Sequence, residues 1–317
     1  MTSPSTNQTP TVWTQAELAT QAQIALNEFV ERRLAEPGGV YIAHVKARRK
    51  SLVRLFKALA GINPDKPDPN VVRAVLLDED LFDALRYVTG PPVSEDDLGV
   101  LVTRSVQRIK ISDLRQSDEL PTEVLNLICR LADPVRFPWI ASRRSPTLRE
   151  LRAAIYATTT LHAAQSLQTA RRGYGREVER RLETRLEELG FTRVSVPNKG
   201  QITVPIHYPV FPKFYGECTV HGRKVDLFIP LPTGKMIALE AKDSSSGLNS
   251  VKRLNNDTAA KARHFAEQAG KNMINVALLS GVFKIDSLTS AQQSGLYIVW
   301  SHDTDGFIEW VKTQTVA

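Results

Sequence analysis

Residues 225–242 read VDLFIPLPTGKMIALEAK, and the way this stretch divides decides the fold. Apolar residues crowd both sides of Pro232-Thr233-Gly234, a turn signal. The stretch therefore predicts two strands, KVDLFI at 224–229 and MIALEAK at 236–242. Side chains alternate between the faces of a strand, so Glu240 and Lys242 share one face and Ala241 takes the other. If the strands pair as a hairpin, Asp226 approaches Glu240 from the neighbouring strand end. Two acids and a lysine then meet at the end of a buried strand pair, where an uncompensated charge is costly.

Such a cluster suits one kind of chemistry. Two carboxylates and the Ala241 carbonyl form a hard oxygen set of the sort that holds Mg²⁺. A cation there polarises a phosphodiester, and the Lys242 ammonium can orient the attacking water or stabilise the transition state. The plain alternative is an ion pair between Glu240 and Lys242 on a solvated sheet, since D-x(n)-E-x-K is short and common. The apolar run MIAL before Glu240 speaks against a solvated face.

Upstream, YGREVERRLETRLEEL at 174–189 sets Val178, Leu182, Leu186 and Leu189 on one helical face, with Gly190 as a stop. Strand-like segments follow at 192–196 (TRVSV) and 216–220 (GECTV), with a turn at His221-Gly222. Downstream come a polar helix over roughly 250–269, strands at 274–280 (INVALLS) and 296–300 (LYIVW), and a short helix near 304–313. This order predicts an α/β (α+β) fold: a mixed sheet flanked by helices. Before residue 172 the pattern is helical, over 14–35, 44–60, 70–88, 95–109, 120–132 and 147–171. Thr14 and Glu17 form a capping box at the first of these. The expected organisation is a disordered tail over 1–13, a helical region over 14–172 and a catalytic domain over 173–317.

Whole-chain properties narrow the class. The 317 residues carry a formal charge of +7, which favours an anionic partner without naming it. Cys129 and Cys218 lie far apart and outside any CxxC pair, so neither a disulfide framework nor a zinc knuckle is expected, and a reducing cytoplasm is. The six histidines show no ligand spacing. No apolar run approaches bilayer length, and no secretion signal is apparent. The absence of GxxxxGK[ST] and GxGxxG argues against an ATP-driven motor and a dinucleotide enzyme.

Within this element order, Asp226…Glu240-Ala241-Lys242 resembles the PD-(D/E)xK nuclease superfamily. The resemblance implies Mg²⁺-dependent phosphodiester hydrolysis, with Asp226, Glu240 and the Ala241 carbonyl on the metal and Lys242 at the water. Members commonly place a further acid on the helix before the first strand. Glu177, Glu179 and Glu183 are the candidates, and the register of Glu179 resembles the family's spacing best. Val225 stands where the family often has proline.

From Lys242 onward, KDSSSGLNSVKRLNNDTAAKARHFAEQ resembles type II restriction endonucleases, and together with ADPVRFPWIASRRSP at 132–146 it resembles their XamI group. That implies double-stranded DNA as substrate, a homodimer and a cognate DNA methyltransferase. On their own terms, Ser244 and Ser245 belong to a small, mobile loop, and Asn249, Ser250, Lys252, Arg253 and Asn255 offer a dense set of donors for phosphate and base edges. A capped surface helix is the plainer reading of the same residues. HVKARRKSLVRLFK at 44–57, with six cations and no acid, could track a DNA backbone or form a solvated helix face. The helical half would then supply a DNA clamp and dimer contacts. A repair or recombination nuclease of the same fold and a non-catalytic DNA-binding protein are the competing readings.

Overall fold

A computed structural model of the chain describes residues 9–59, 68–106, 109, 111–117, 119–248, 254 and 258–315. The chain separates into two compact units, one comprising Ala35–Arg171 and the other Met1–Leu34 with Arg172–Ala317. Among the described residues no helix is long and apolar enough to cross a membrane.

The second of these units is built on a six-stranded mixed sheet. In chain order its strands, with those of a small neighbouring sheet, are β1 (Thr192–Val194), β2 (Gln201–Ile202), β3 (Lys213–Tyr215), β4 (Cys218–Val220), β5 (Arg223–Val225), β6 (Leu227–Pro230), β7 (Met236–Ser244), β8 (Met273–Gly281) and β9 (Leu296–Trp300). The large sheet runs β1-β3-β6-β7-β8-β9 and the small one β2-β4-β5. β6 and β7 pair antiparallel with Leu227 opposite Leu239 and Pro230 opposite Met236, while β7, β8 and β9 run parallel.

Period-two alternation explains the layers. Ile237 and Leu239 of β7, with Ile274, Val276 and Leu278 of β8, bury against Val178, Leu182 and Leu186 of the helix Leu148–Glu188 and against the C-terminal helix Thr304–Thr315. On the other face, Met236 and Ala238 pack with Phe265 of the helix Ala259–Ala269 and with Ile202, Val220 and Val225 of the small sheet. Ala277 and Leu279 of β8 meet Leu18, Ala22 and Ala25 of the helix Gln15–Ala35 and Leu288 and Ala291 of the helix Ile285–Gln293. The mixed sheet between helical layers is the arrangement expected from the sequence.

The elements depart from expectation in specific places. The strand expected over 224–229 is two strands in two sheets, broken at Asp226. The helices expected over 147–171 and 174–189 are one helix, Leu148–Glu188, which continues through Gly173 and Gly175. Glycine weakens a helix interior by only about 1 kcal/mol, which tertiary packing overrides. The helix expected over 70–88 is two, Pro69–Leu77 and Glu79–Arg86, because Asp78 is extended and caps the second one by accepting from the Leu81 N–H. The short β2 and β3 and the helix Ile285–Gln293 have no counterpart in the sequence reading.

At the N-terminus the capping box forms: the Thr14 N–H donates to Glu17 at 2.7 Å, and the Glu17 N–H donates to Thr14 Oγ1. Residues 1–8 of the expected tail lie outside the described residues. Trp13 does not behave as tail, since its Nε1–H donates to the Ile298 carbonyl at 2.8 Å and Gln292 bonds its backbone. The first helix, grouped by sequence with the helical region, thus belongs to the unit that carries the sheet.

The unit Ala35–Arg171 has its own core, centred on Leu52, Leu55, Val72, Leu85, Leu98, Val124, Ile128, Phe137 and Trp139. In the segment 132–146, Arg136 donates to Asp133, to the carbonyls of Tyr87 and Thr89 and to Thr158. That segment therefore works as a brace within its unit. Both cysteines are free thiols, pushed up to about 11 (Cys129) and about 12 (Cys218), chiefly by burial.

Docking of the first helix onto the sheet gives a direct test. Leu18 is 1 % exposed, so Leu18→Ala should cost about 2–5 kcal/mol through lost burial and a cavity. Urea unfolding followed by far-UV circular dichroism reads this. A change of a few tenths of a kcal/mol would mean that the helix is not packed on the sheet.

Candidate active site

The break between β5 and β6 builds the site. At Asp226 the chain leaves the small sheet and joins the large one. Its N–H donates to the Leu239 carbonyl at 2.9 Å, extending the β6–β7 ladder by one bond. The side chain then turns onto the same neighbour: Asp226 Oδ2 accepts the Ala241 N–H at 2.7 Å. This pins a carboxylate beside the segment Glu240-Ala241-Lys242.

Glu240 continues the face of Met236 and Ala238 and is 7 % exposed. Burial of its carboxylate is offset by two ammonium groups. Lys242, two residues along the strand, donates to Glu240 Oε1. Lys261, on the helix Ala259–Ala269, donates to Oε1 at 2.7 Å, to Oε2 at 2.8 Å and to the Lys224 carbonyl at 2.9 Å. Sequence reasoning missed Lys261. Its proximity arises from packing of Ala262 and Phe265 against the sheet, a contact that no local pattern encodes. The solvated ion pair weighed from the sequence is thus half right: the pair forms, but on a buried carboxylate and with a second lysine.

Of the three helix acids, Glu179 is the one whose carboxyl feels the charge of Asp226. The Glu179 carboxyl is pushed up to about 7, first by burial and then by the negative charges of Asp226 and Glu183. Asp226 is also raised, first by burial and further by the charge of Glu240, against the Ala241 N–H and the ammoniums of Lys242 and Lys261. Glu183 is raised, chiefly by burial, and accepts from Arg193 at 3.2 Å. Glu177 is exposed. Alongside runs an open groove of ≈ 400 Å³ lined by Arg193, Val194, Ser195, Val196, Gly216 and Glu217.

Glu240 beside Asp226, and Asp226 in the field of Glu179, gather negative charge that calls for a cation, and the chemistry of these oxygens suits a hard one. Among the described residues no group of three or more Asp, Glu, His or Cys side chains could hold a metal ion. The donors present, two carboxylates and a backbone carbonyl, fit Mg²⁺, which binds through one or two carboxylates and keeps several waters. They do not fit a structural zinc site, which needs four nitrogen, sulfur or oxygen ligands.

The strand end beyond Lys242 is held firmly. Asp243 accepts from Ser280 Oγ at 2.9 Å and from Arg32 at 3.3 Å, and the Arg32 guanidinium lies 3.3 Å from the centre of the Tyr174 ring. Ser244, expected to face DNA, is fully buried and donates its hydroxyl to the Ser246 carbonyl. Its backbone carbonyl sits where a Cβ on Gly281 would fall, at 2.1 Å, so residue 281 must be glycine. Ser244 therefore shapes the turn, whereas Ser245 is exposed. Asn249, Ser250, Lys252, Arg253 and Asn255 lie outside the described residues. Of the six cations over 44–57, Arg48 pairs with Asp83 at 3.2 Å and Arg54 with Asp78; Lys46, Arg49, Lys50 and Lys57 are exposed.

A mixed sheet with an Asp…Glu-x-Lys cluster at the end of a central strand pair, next to a helix acid, has the form of a metal-dependent nuclease of the PD-(D/E)xK kind. Comparison with known proteins places the chain more narrowly. The family model described as XamI restriction endonuclease matches residues 68–300. The type II restriction enzyme XamI of Xanthomonas campestris pv. amaranthicola is 37% identical over 263 residues, covering 82% of this chain and 93% of that protein. The chain belongs to the XamI restriction endonuclease family. No solved structure matches it.

The raised Glu179 pKa makes stability depend on pH. A carboxyl whose pKa rises from 4.5 to about 7 on folding contributes stability that is full below 4.5 and is lost as pH climbs through 7. In chelator-treated protein, Glu179→Gln should remove that slope. Thermal melts at pH 5 and pH 7.5 should show the wild type losing more stability between the two than the variant. Parallel profiles would mean that Glu179 is not buried beside Asp226.

Proposed function

We propose that this chain is a type II restriction endonuclease that hydrolyses double-stranded DNA at a short specific site with Mg²⁺. It would act in the cytoplasm as a homodimer, alongside a methyltransferase that protects the same site. The observation that carries this reading is the convergence of Asp226, Glu240 and Lys242 where the β6–β7 pairing ends, within the electrostatic reach of Glu179, in a chain of this family.

Each side chain has a distinct task in the reading. Asp226, Glu240 and the Ala241 carbonyl would hold the cation, and the Ala241 N–H keeps Asp226 aimed at it. Bound Mg²⁺ supplies Lewis-acid polarisation of the phosphodiester and offsets the charge that develops on it. Lys242 would orient the attacking water and stabilise the pentacovalent phosphorus, since Glu240 holds its ammonium beside the candidate metal ligands. Water oxygen would bond to phosphorus as it gives up a proton, one P–O ester bond would break, and the leaving oxygen would take up a proton from solvent, so that one water is consumed per bond cut. Glu179 would support the cation or Lys242 from the helix. Two-fold symmetry would let one site per subunit cut each strand of a palindrome. Ser245, Asn249, Ser250, Lys252, Arg253 and Asn255 would contact phosphates and bases, and the exposed cations of the helix Val40–Ala58 would follow the backbone.

Two substitutions test the core of the reading. Glu240→Ala and Lys242→Ala should each lower plasmid cleavage at saturating Mg²⁺ by at least about 10²-fold, with site-specific DNA binding retained. Full activity in either variant sinks the assignment. The wild type should yield discrete fragments; random nicking or junction-specific cutting would point to a repair enzyme. Arg253→Ala should weaken discrimination at one base position by about 1–3 kcal/mol, read by cleavage of a library of single-base variants of the site. An unchanged pattern removes Arg253 from base recognition.

A further inference from the structure

Lys261 has no role in the reading above, yet it makes the most complete set of contacts in the site. Its ammonium has three hydrogens, and it has three acceptors: Glu240 Oε1, Glu240 Oε2 and the Lys224 carbonyl, all within 2.7–2.9 Å. It therefore grips both oxygens of the carboxylate that is to hold the metal, as a chelated cation would. Lys242 adds a further hydrogen bond to Oε1. A carboxylate offers about four lone-pair sites, so three of those on Glu240 are taken. A divalent ion cannot join at full strength unless one ammonium withdraws.

The two lysines are not equivalent in this respect. Lys242 follows Glu240 by two residues on the same strand, so the backbone keeps them neighbours whatever else binds. Lys261 reaches in from a different element, the helix Ala259–Ala269, on a flexible four-carbon stem. Charge gives the direction of the change. Asp226 and Glu240 balance Lys242 and Lys261, and a divalent ion leaves the cluster net positive even with Glu179 ionised, which suits a phosphodiester that gains negative charge as it reacts.

Granting the Mg²⁺-dependent nuclease reading, we propose that Lys261 occupies the cation position on Glu240 in the metal-free enzyme and becomes a phosphate-binding residue once the divalent ion displaces it. Lys261 thus gives the site two functions from one ammonium: it holds both oxygens of Glu240 in place before the metal arrives, and it adds a positive charge to the substrate side afterwards. Premature occupancy of the site by metal is opposed until the ion outcompetes the lysine.

The test is calorimetric titration of Mg²⁺ into the metal-free full-length chain without DNA, comparing the wild type with Lys261→Gln. Removal of the competitor should tighten Mg²⁺ binding by roughly tenfold, as for two ligands coupled through one site. Single-turnover cleavage at saturating Mg²⁺ should nevertheless slow by roughly 10²-fold. Weaker or unchanged Mg²⁺ binding, as expected of a lysine that merely braces the fold, overturns the proposal, and so does an unchanged cleavage rate. If Lys261→Gln loses its cooperative melt, Lys261→Arg decides instead. The guanidinium holds Glu240 bidentately, so Mg²⁺ should bind several-fold more weakly than to the wild type, and equal or tighter binding overturns the idea. The nuclease reading is judged separately, by wild-type cutting against Glu240→Ala.

Discussion

The bond from the Ala241 N–H to Asp226 Oδ2 is the contact on which the site depends. β6 pairs with β7 only as far as Leu227, because the chain arrives at Asp226 from a different sheet. Beyond that point a backbone N–H of β7 would lack its ladder partner, and a buried orphan donor costs about 1–3 kcal/mol. The carboxylate of Asp226 satisfies it. The acid is thereby fixed at the place where a backbone carbonyl would otherwise have been, one residue from Glu240. Structural need and chemical placement are met by the same hydrogen bond.

Everything around that bond manages charge. Burial disfavours the ionised carboxylates of Glu179 and Asp226; the charges of Asp226 and Glu183 raise the first further, and that of Glu240 raises the second. Lys242 and Lys261 compensate Glu240, but the bond from Ala241 is the main counterweight at Asp226. Buried ion pairs contribute little net stability, because desolvation consumes most of the attraction. The cluster is therefore poorly explained as a stabilising device and well explained as a site held ready for a cation. The rigid surroundings agree with this: Asp243, next to Lys242, is tied to Ser280 and Arg32, and Ser244 is locked against Gly281.

Legibility of these features in the sequence followed the range of the interaction. The sharing of one face by Glu240 and Lys242 is a consequence of strand geometry alone, and the buried strand MIAL marked the face as unusual for charges. The turn at 232–234 set the β6–β7 register and so placed Asp226. The break at Asp226 was hidden because the residues on both sides, Val225 and Leu227, are apolar and strand-forming, and only the sheet to which each belongs tells them apart. Lys261 was hidden for the same reason, since its contact with Glu240 spans 21 residues and is set by how a helix packs. The continuous helix through Gly173 and Gly175 shows propensity yielding to packing. The choice of Glu179 over its neighbours was legible only through resemblance; in the structure it is the helix acid whose carboxyl feels the charge of Asp226.

The same distinction limits what net charge can say about the substrate. The formal +7 counts every lysine and arginine alike, yet the structure assigns many of them internal partners. Arg48 and Arg54 pair with Asp83 and Asp78, Arg136 is spent within its own unit on Asp133 and three backbone or hydroxyl acceptors, and Lys242 and Lys261 answer Glu240. A cation so engaged has part of its charge and of its donors committed before any phosphate arrives. What remains for a polyanion is the exposed set, including Lys46, Arg49, Lys50 and Lys57 on one helix, together with any ammonium that a bound ion releases. Attraction for a polyanion is thus set by which cations are exposed or exchangeable, and in the candidate cluster that number would change with a bound metal.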